Sequence, residues 1–177
     1  MYAKSLAVDA AAHYRQLLQL GRAEFLASAA PAALVRYRKD GDDPATSGIT
    51  TLSLDEEIEE TLPHGRVTLD EVDLQIFPLT KKPGASFPDR ITIGRTNNND
   101  VVIADTSVSR LHAYVRRDGA SWIVADAGSK NGSFLRGETL EARREKPLPS
   151  RAILRLGEVE MTFYTATDLY SALGGMS

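Results

Sequence analysis

Ile91-Thr92-Ile93-Gly94-Arg95, Val101-Val102-Ile103, Ser109-Arg110-Leu111-His112 and Asp126-Ala127-Gly128-Ser129-Lys130-Asn131-Gly132-Ser133 follow one another between residues 91 and 133. The first segment alternates apolar and polar residues, as do Val72-Asp73-Leu74-Gln75-Ile76 upstream and Ile153-Leu154-Arg155-Leu156 downstream. That is the pattern of half-buried strands. Further short strands are predicted over residues 101–103, 112–116, 121–125, 133–135 and 160–164, with Pro-Gly, Asp-Gly and Asn-Gly pairs between them. Strands this short and this regularly spaced predict a mainly β, antiparallel β-sandwich. Pro83-Gly84, Asp118-Gly119 and Asn131-Gly132 stand where hairpin turns are expected.

Upstream the texture differs. Leu6, Ala10, Tyr14, Leu17, Leu18 and Phe25 recur at helical steps, which predicts an amphipathic helix that packs on the sandwich. Gly21 and Pro31 punctuate it, a strand-like Leu34-Val35-Arg36-Tyr37-Arg38 follows, and Asp40 to Pro44 is a turn cluster. Residues from about Gly41 to Gly65 read as a linker containing Thr50-Thr51 and the acidic run Asp55-Glu56-Glu57-Ile58-Glu59-Glu60. At the other end, Thr167 or Asp168 can cap a short C-terminal helix through Leu173, with Gly174 as its stop. The organisation is an N-terminal α-helical extension with linker over residues 1–65, the sandwich over 66–166, and the short helix and tail over 167–177.

The composition excludes several functions. With 177 residues, 42% hydrophobic and 25% charged, the chain supports one good core rather than two large domains. A net charge of −3 argues against nucleic acid as the partner. The absence of cysteine rules out disulfides and thiolate metal sites and leans toward a cytoplasmic protein. His13, His64 and His112 are too dispersed for a metal-ligand pair, and no apolar run reaches the ~20 residues of a membrane helix.

The opening segments carry chemistry. A phosphate monoester bears nearly two negative charges and three acceptor oxygens, and calls for guanidinium, hydroxyl and amide donors. Arg95, Ser109 and Arg110 are these types, on two loops that a sandwich can bring to one rim. Ser109, His112 and Asp126 are also the residue types of a nucleophilic triad. A serine and histidine three apart at a strand's start point to opposite faces, however, and no Gly-x-Ser-x-Gly elbow accompanies them. Gly128-Ser129-Lys130 lacks the first glycine and following helix of a nucleotide loop. The chain therefore reads as non-catalytic, with no cofactor.

From about Val72 to Thr165, a little over half of the chain, the sequence resembles a forkhead-associated (FHA) domain, a module that binds phosphothreonine peptides. The resemblance rests on Gly94-Arg95, Asn99-Asp100-Val101, Ser107 to His112, Asp126 to Ser133 and Leu156-Gly157. It implies that Arg95 and Ser109 bind phosphate, that Arg110 adds a flanking phosphate contact, and that Asn131 holds the peptide backbone. Lys130 stands where many members carry threonine, and its ammonium would reach for the phosphate. His112 would brace the loop beneath the site, and Gly94 and Gly132 would be turn positions. Ser133 replaces the usual threonine, and Pro149-Ser150-Arg151 replaces a common Gly-Asp turn; neither removes a phosphate ligand.

The expected function is a phosphothreonine-dependent protein-binding adaptor in serine/threonine kinase signalling. Its partner would be a phosphothreonine-containing protein, either a kinase or its substrate, with no nucleic acid or membrane involved. The alternative is a phosphate-independent structural or oligomerisation module. A third idea is that phosphorylated Thr50 or Thr51 occupies the chain's own site. Nothing in the sequence names the partner or the oligomeric state.

Overall fold

The computed structural model describes residues 3–38, 73–85 and 87–175. The turn cluster, Thr50-Thr51 and the acidic run lie outside the described residues. In place of one helix there are two, α1 (Ala3–Gln19) and α2 (Arg22–Ser28), separated where Gly21 takes a φ of 96° that only glycine adopts freely. Among the described residues, no helix is long and apolar enough to cross a membrane.

Eleven strands follow among the described residues: β1 (Ala32–Arg38), β2 (Asp73–Pro78), β3 (Ile91–Gly94), β4 (Val101–Val102), β5 (Ala113–Asp118), β6 (Ser121–Asp126), β7 (Ser133–Leu135), β8 (Glu138–Thr139), β9 (Lys146–Pro147), β10 (Ile153–Leu156) and β11 (Val159–Thr165). Helix α3 (Ala166–Ala172) closes the chain. One sheet runs β2-β1-β11-β10-β7-β8 and the other β4-β3-β5-β6-β9. The ladders are antiparallel except for β3 with β4, which pair in parallel at Ile93↔Val101.

Asp118-Gly119 does form a hairpin, joining β5 to β6 with Asp118 opposite Ser121. Pro83-Gly84 and Asn131-Gly132 do not. Each lies on a connection between sheets, β2 to β3 and β6 to β7, so neither is flanked by paired strands. Helix α3 begins one residue after Thr165, which makes no side-chain cap; Thr167 and Asp168 fall inside the helix.

Strand β1 explains how the N-terminal extension is attached. It lies between β2 and β11, with Ala32 paired to Thr165 and Arg36 to Gln75. Ala32 and Leu34 point into the inter-sheet core with Leu154, Leu156, Met161 and Phe163. Ala33 and Val35 point the other way, into a second buried cluster with Tyr14, Leu17, Phe25, Ile76 and Tyr170. A strand buried on both faces reads as a continuous apolar run rather than an alternating one, as Ala32-Ala33-Leu34-Val35 does. Phe25 is the centre of the second cluster, with Tyr14 at 5.7 Å and Tyr170 at 5.2 Å between ring centroids.

Because Phe25 is fully buried, Phe25→Ala should cost about 3–5 kcal/mol in urea unfolding of the whole chain. A loss below ~1 kcal/mol would mean that the helices contribute little to the folded sandwich.

Candidate functional site

Four loops converge at one end of the sandwich: the one after β3, the one before β5, the one between β6 and β7, and the turn between β10 and β11. Their backbones are cross-tied. Arg95 N–H donates to the Ser109 carbonyl at 3.0 Å, and Gly157 N–H to the Gly132 carbonyl at 3.0 Å. Lys130 N–H donates to Ser109 Oγ at 3.0 Å, and Glu158 N–H to Ser107 Oγ at 2.9 Å.

Gly94 ends β3 and is needed for space rather than for a turn. A Cβ there would stand 2.1 Å from the Arg110 carbonyl oxygen and 2.7 Å from Asn99 Nδ2. That close approach lets buried Asn99 donate to the Arg110 carbonyl at 2.6 Å and to the Thr96 carbonyl at 2.9 Å, which fixes the two arginine-bearing loops to each other. At Gly157 both reasons apply: φ is 59°, and a Cβ would meet the Ser107 carbonyl oxygen at 2.3 Å.

His112 is fully buried beneath the site. Its Nδ1 accepts the Ser109 N–H at 2.9 Å, so Nε2 carries the proton and donates to the Gly132 carbonyl at 2.9 Å. Both ring nitrogens are thus committed to backbone groups. Ser109 Oγ instead faces Lys130 N–H. Asp126 takes its hydrogen bonds from the Ser129 and Ser133 hydroxyls and the Gly128 and Ser129 amides. Ser109, His112 and Asp126 are therefore near one another without forming the chain of hydrogen bonds that a triad needs. Burial raises the Asp126 pKa, but those four donors outweigh it and hold the carboxyl below its usual value.

Of the predicted ligands, Arg95, Arg110, Lys130 and Asn131 are exposed above this base, and Ser109 is half-buried. Arg95 is oriented by one bond, Nε to the Val108 carbonyl at 3.0 Å, which leaves both Nη groups outward. Among the described residues, Arg95, Arg110 and Lys130 have no carboxylate partner. Asn131 Nδ2 donates to the Ser107 carbonyl at 2.8 Å, which fixes its amide plane and leaves Oδ1 as an acceptor. Sequence reasoning assigned no role to Asn99, Ser107 or Asp126; each is a short polar residue in a turn cluster, and only the fold reveals which carbonyl or amide it meets. Two clefts of about 370 and 320 Å³ lie elsewhere, around Tyr170 with Leu173 and around Leu79 with Trp122.

Burial depresses the His112 pKa more than its bond to Gly132 and the Asp126 charge raise it. The unfolded chain then binds the extra proton more readily, so stability is complete above the unfolded value of about 6.5 and is lost as pH falls through the lower folded value. Urea stability should decline from pH 7 to pH 5. His112→Asn should cost about 2–4 kcal/mol at pH 7 and flatten that decline; an unchanged slope would place the titrating group elsewhere.

The FHA domain family model matches residues 91–157. Over 81 residues the chain is 31% identical to the FHA domain-containing protein At4g14490 of Arabidopsis thaliana, covering 45% of this chain and 20% of that one. Over 72 residues it is 35% identical to the oxoglutarate dehydrogenase inhibitor of Corynebacterium diphtheriae, covering 41% of this chain and 48% of that one. The chain spans about half, or less, of the length of these curated relatives. A solved structure described as an analysis of phosphothreonine-dependent FHA domain interactions aligns with a TM-score of 0.46 and 19% identity, over 76% of this chain and 96% of that one. Residues 91–157 match the FHA domain family, and an N-terminal helical extension packs on the sandwich that holds them.

Proposed function

We propose that this chain is a non-catalytic adaptor that docks a phosphothreonine of a partner protein on the loop end of its sandwich. The observation that carries the reading is the group of three cations, Arg95, Arg110 and Lys130, exposed around Ser109 with no carboxylate partner among the described residues. Unpaired cations on cross-tied loops form a preorganised anion site, since little has to move or be displaced on binding.

Each residue has a role in this reading. The two Nη groups of Arg95 address two phosphate oxygens, while its Nε stays on the Val108 carbonyl. Ser109 Oγ accepts the Lys130 N–H, so its own proton is free for a third oxygen. Arg110 and the Lys130 ammonium supply further charge from either side. Asn131, held by the Ser107 carbonyl, pairs with the backbone of the bound peptide.

The partner class is a serine/threonine kinase or its substrate, and the compartment is cytoplasmic, in keeping with a chain free of cysteine. The residue roles are part of this proposal. The committed ring nitrogens of His112 support a binding role over a catalytic one.

Fluorescence anisotropy with a phosphothreonine peptide library tests the proposal. Selected peptides should bind, and their unphosphorylated forms should not. Phosphoserine forms should bind more weakly, by about fourfold for the buried methyl's ~0.8 kcal/mol, and by more where the stiff β-branched rotamer contributes. Arg95→Ala should weaken binding at least about 30-fold, since removing one member of a desolvated charged pair costs about 2–5 kcal/mol. Undiminished binding by that variant would sink the proposal.

A further inference from the structure

Asp105, Thr106, Ser107 and Val108 form a turn in the connection from β4 to β5, just before Ser109. It is closed twice. Val108 N–H donates to the Asp105 carbonyl at 3.1 Å, and Ser107 N–H donates to Asp105 Oδ1 at 2.9 Å. Aspartate suits the first position of such a turn, because its short side chain can accept the amide two residues on. The Ser107 hydroxyl donates to the same oxygen at 2.7 Å, so its lone pair turns to the Glu158 N–H.

The other carboxylate oxygen, Oδ2, faces Arg36 Nη2 at 3.9 Å, and each of the two side chains is about a quarter exposed. Arg36 lies on β1, the strand that the N-terminal helices cover. The ion pair therefore connects the helix-bearing part of the six-stranded sheet to a loop of the opposite sheet.

Two of the proposed ligands depend on what this turn presents. The carbonyls of Ser107 and Val108 are consecutive; the first accepts Asn131 Nδ2 at 2.8 Å and the second accepts Arg95 Nε at 3.0 Å. Neither side chain has another hydrogen bond among the described residues. One turn thus sets the direction of two side chains that come from two other loops.

We infer that Asp105 is a positioning residue for phosphopeptide binding, which aims Arg95 and Asn131 together through this turn, and that Arg36 supplies its counter-charge. The inference rests on the phosphothreonine reading of the loops. Asp105 acts only through its neighbours, since its carboxylate oxygens are taken up by Ser107 and Arg36. A counter-charge is needed because a bare carboxylate beneath a site for a phosphate dianion would repel the ligand.

Fluorescence anisotropy with the full chain and one phosphothreonine peptide reads the effect. Asp105→Ala should weaken binding about tenfold. Asp105→Asn should return to within about threefold of the unaltered chain, because its amide Oδ1 still accepts the Ser107 N–H. Aiming is separated from general stability by non-additivity. Asn131→Ala should weaken binding about fivefold in the unaltered chain but less than about twofold in Asp105→Ala, where Asn131 is no longer held. A mere fall in the folded fraction would leave the Asn131→Ala effect the same in both. Arg36→Gln should cost about two- to threefold in the unaltered chain and nothing in Asp105→Asn, whose neutral amide needs no counter-charge. Equal Arg36→Gln losses in both backgrounds would overturn the part assigned to Arg36. Undiminished binding by Asp105→Ala, or an Asn131→Ala effect that persists in it, would overturn the positioning role while the phosphothreonine reading stands. If the unaltered chain binds no phosphothreonine peptide, that reading fails and the positioning role falls with it.

Discussion

Ser109 and Lys130 stand 21 residues apart in the chain, and their mutual position depends on a neutral imidazole buried between them. His112 accepts the N–H of one loop through Nδ1 and donates to the carbonyl of the other through Nε2. A group that is at once donor and acceptor, at opposite sides of a rigid ring, can bridge an amide and a carbonyl in this way. Replacing it with an apolar residue would leave two buried backbone groups without partners, which is dearer than losing the bonds themselves. Asp126 acts alongside it: one carboxylate gathers two hydroxyls and two amides and so shapes the turn from Gly128 to Ser133. Arg95 and Asn131 add one bond each to this base, at the Val108 and Ser107 carbonyls, and no buried polar side-chain atom among the described residues lacks a partner. This is the condition for presenting several like charges together: their repulsion is borne by a scaffold held mainly by His112, Asp126 and the backbone.

The N-terminal extension is part of that scaffold. β1 has both faces buried, one in the inter-sheet core and the other under the helices, so it joins the two clusters into one packed unit. Helical cover over β1, β2 and β11 also determines what stays open. The face over β10 and β7 remains solvent-accessible, and there the alternation of β10 places Arg155 outward while Leu154 and Leu156 fill the core.

Much of the sandwich was legible because it follows local rules. Two-residue alternation located β3 and β10 to within a residue, and short runs between turn pairs located β5, β6 and β7 to within two, while the order of the polar motifs between them points to Arg95, Ser109, Arg110, Lys130 and Asn131 as the proposed ligands. What was not legible depends on contacts distant in sequence. Pro83-Gly84 and Asn131-Gly132 carry the same local signal as a hairpin turn, but whether the next strand pairs with the last or crosses to the other sheet is decided by packing. Strands β8 and β9 are two residues each and too short for any period to show. The pairing of β1 with β11 joins residues 32 and 165, and no local pattern encodes it. Gly94 looked like a turn glycine; its reason is the Arg110 carbonyl, brought against it by the neighbouring strand.

The charge distribution completes the physical picture. A phosphate dianion approaching a chain of net charge −3 meets no overall attraction, and at physiological ionic strength the Debye length of about 8 Å confines any field to the nearest groups. Within that range, the loop end offers Arg95, Arg110 and Lys130, with no carboxylate paired to them among the described residues. The proposed recognition of phosphate would therefore be short-ranged, made of directed hydrogen bonds and not of steering. Strength of this kind depends on donors being held in place before the ligand arrives. That requirement accounts for the density of backbone cross-ties between loops whose exposed side chains make few contacts of their own.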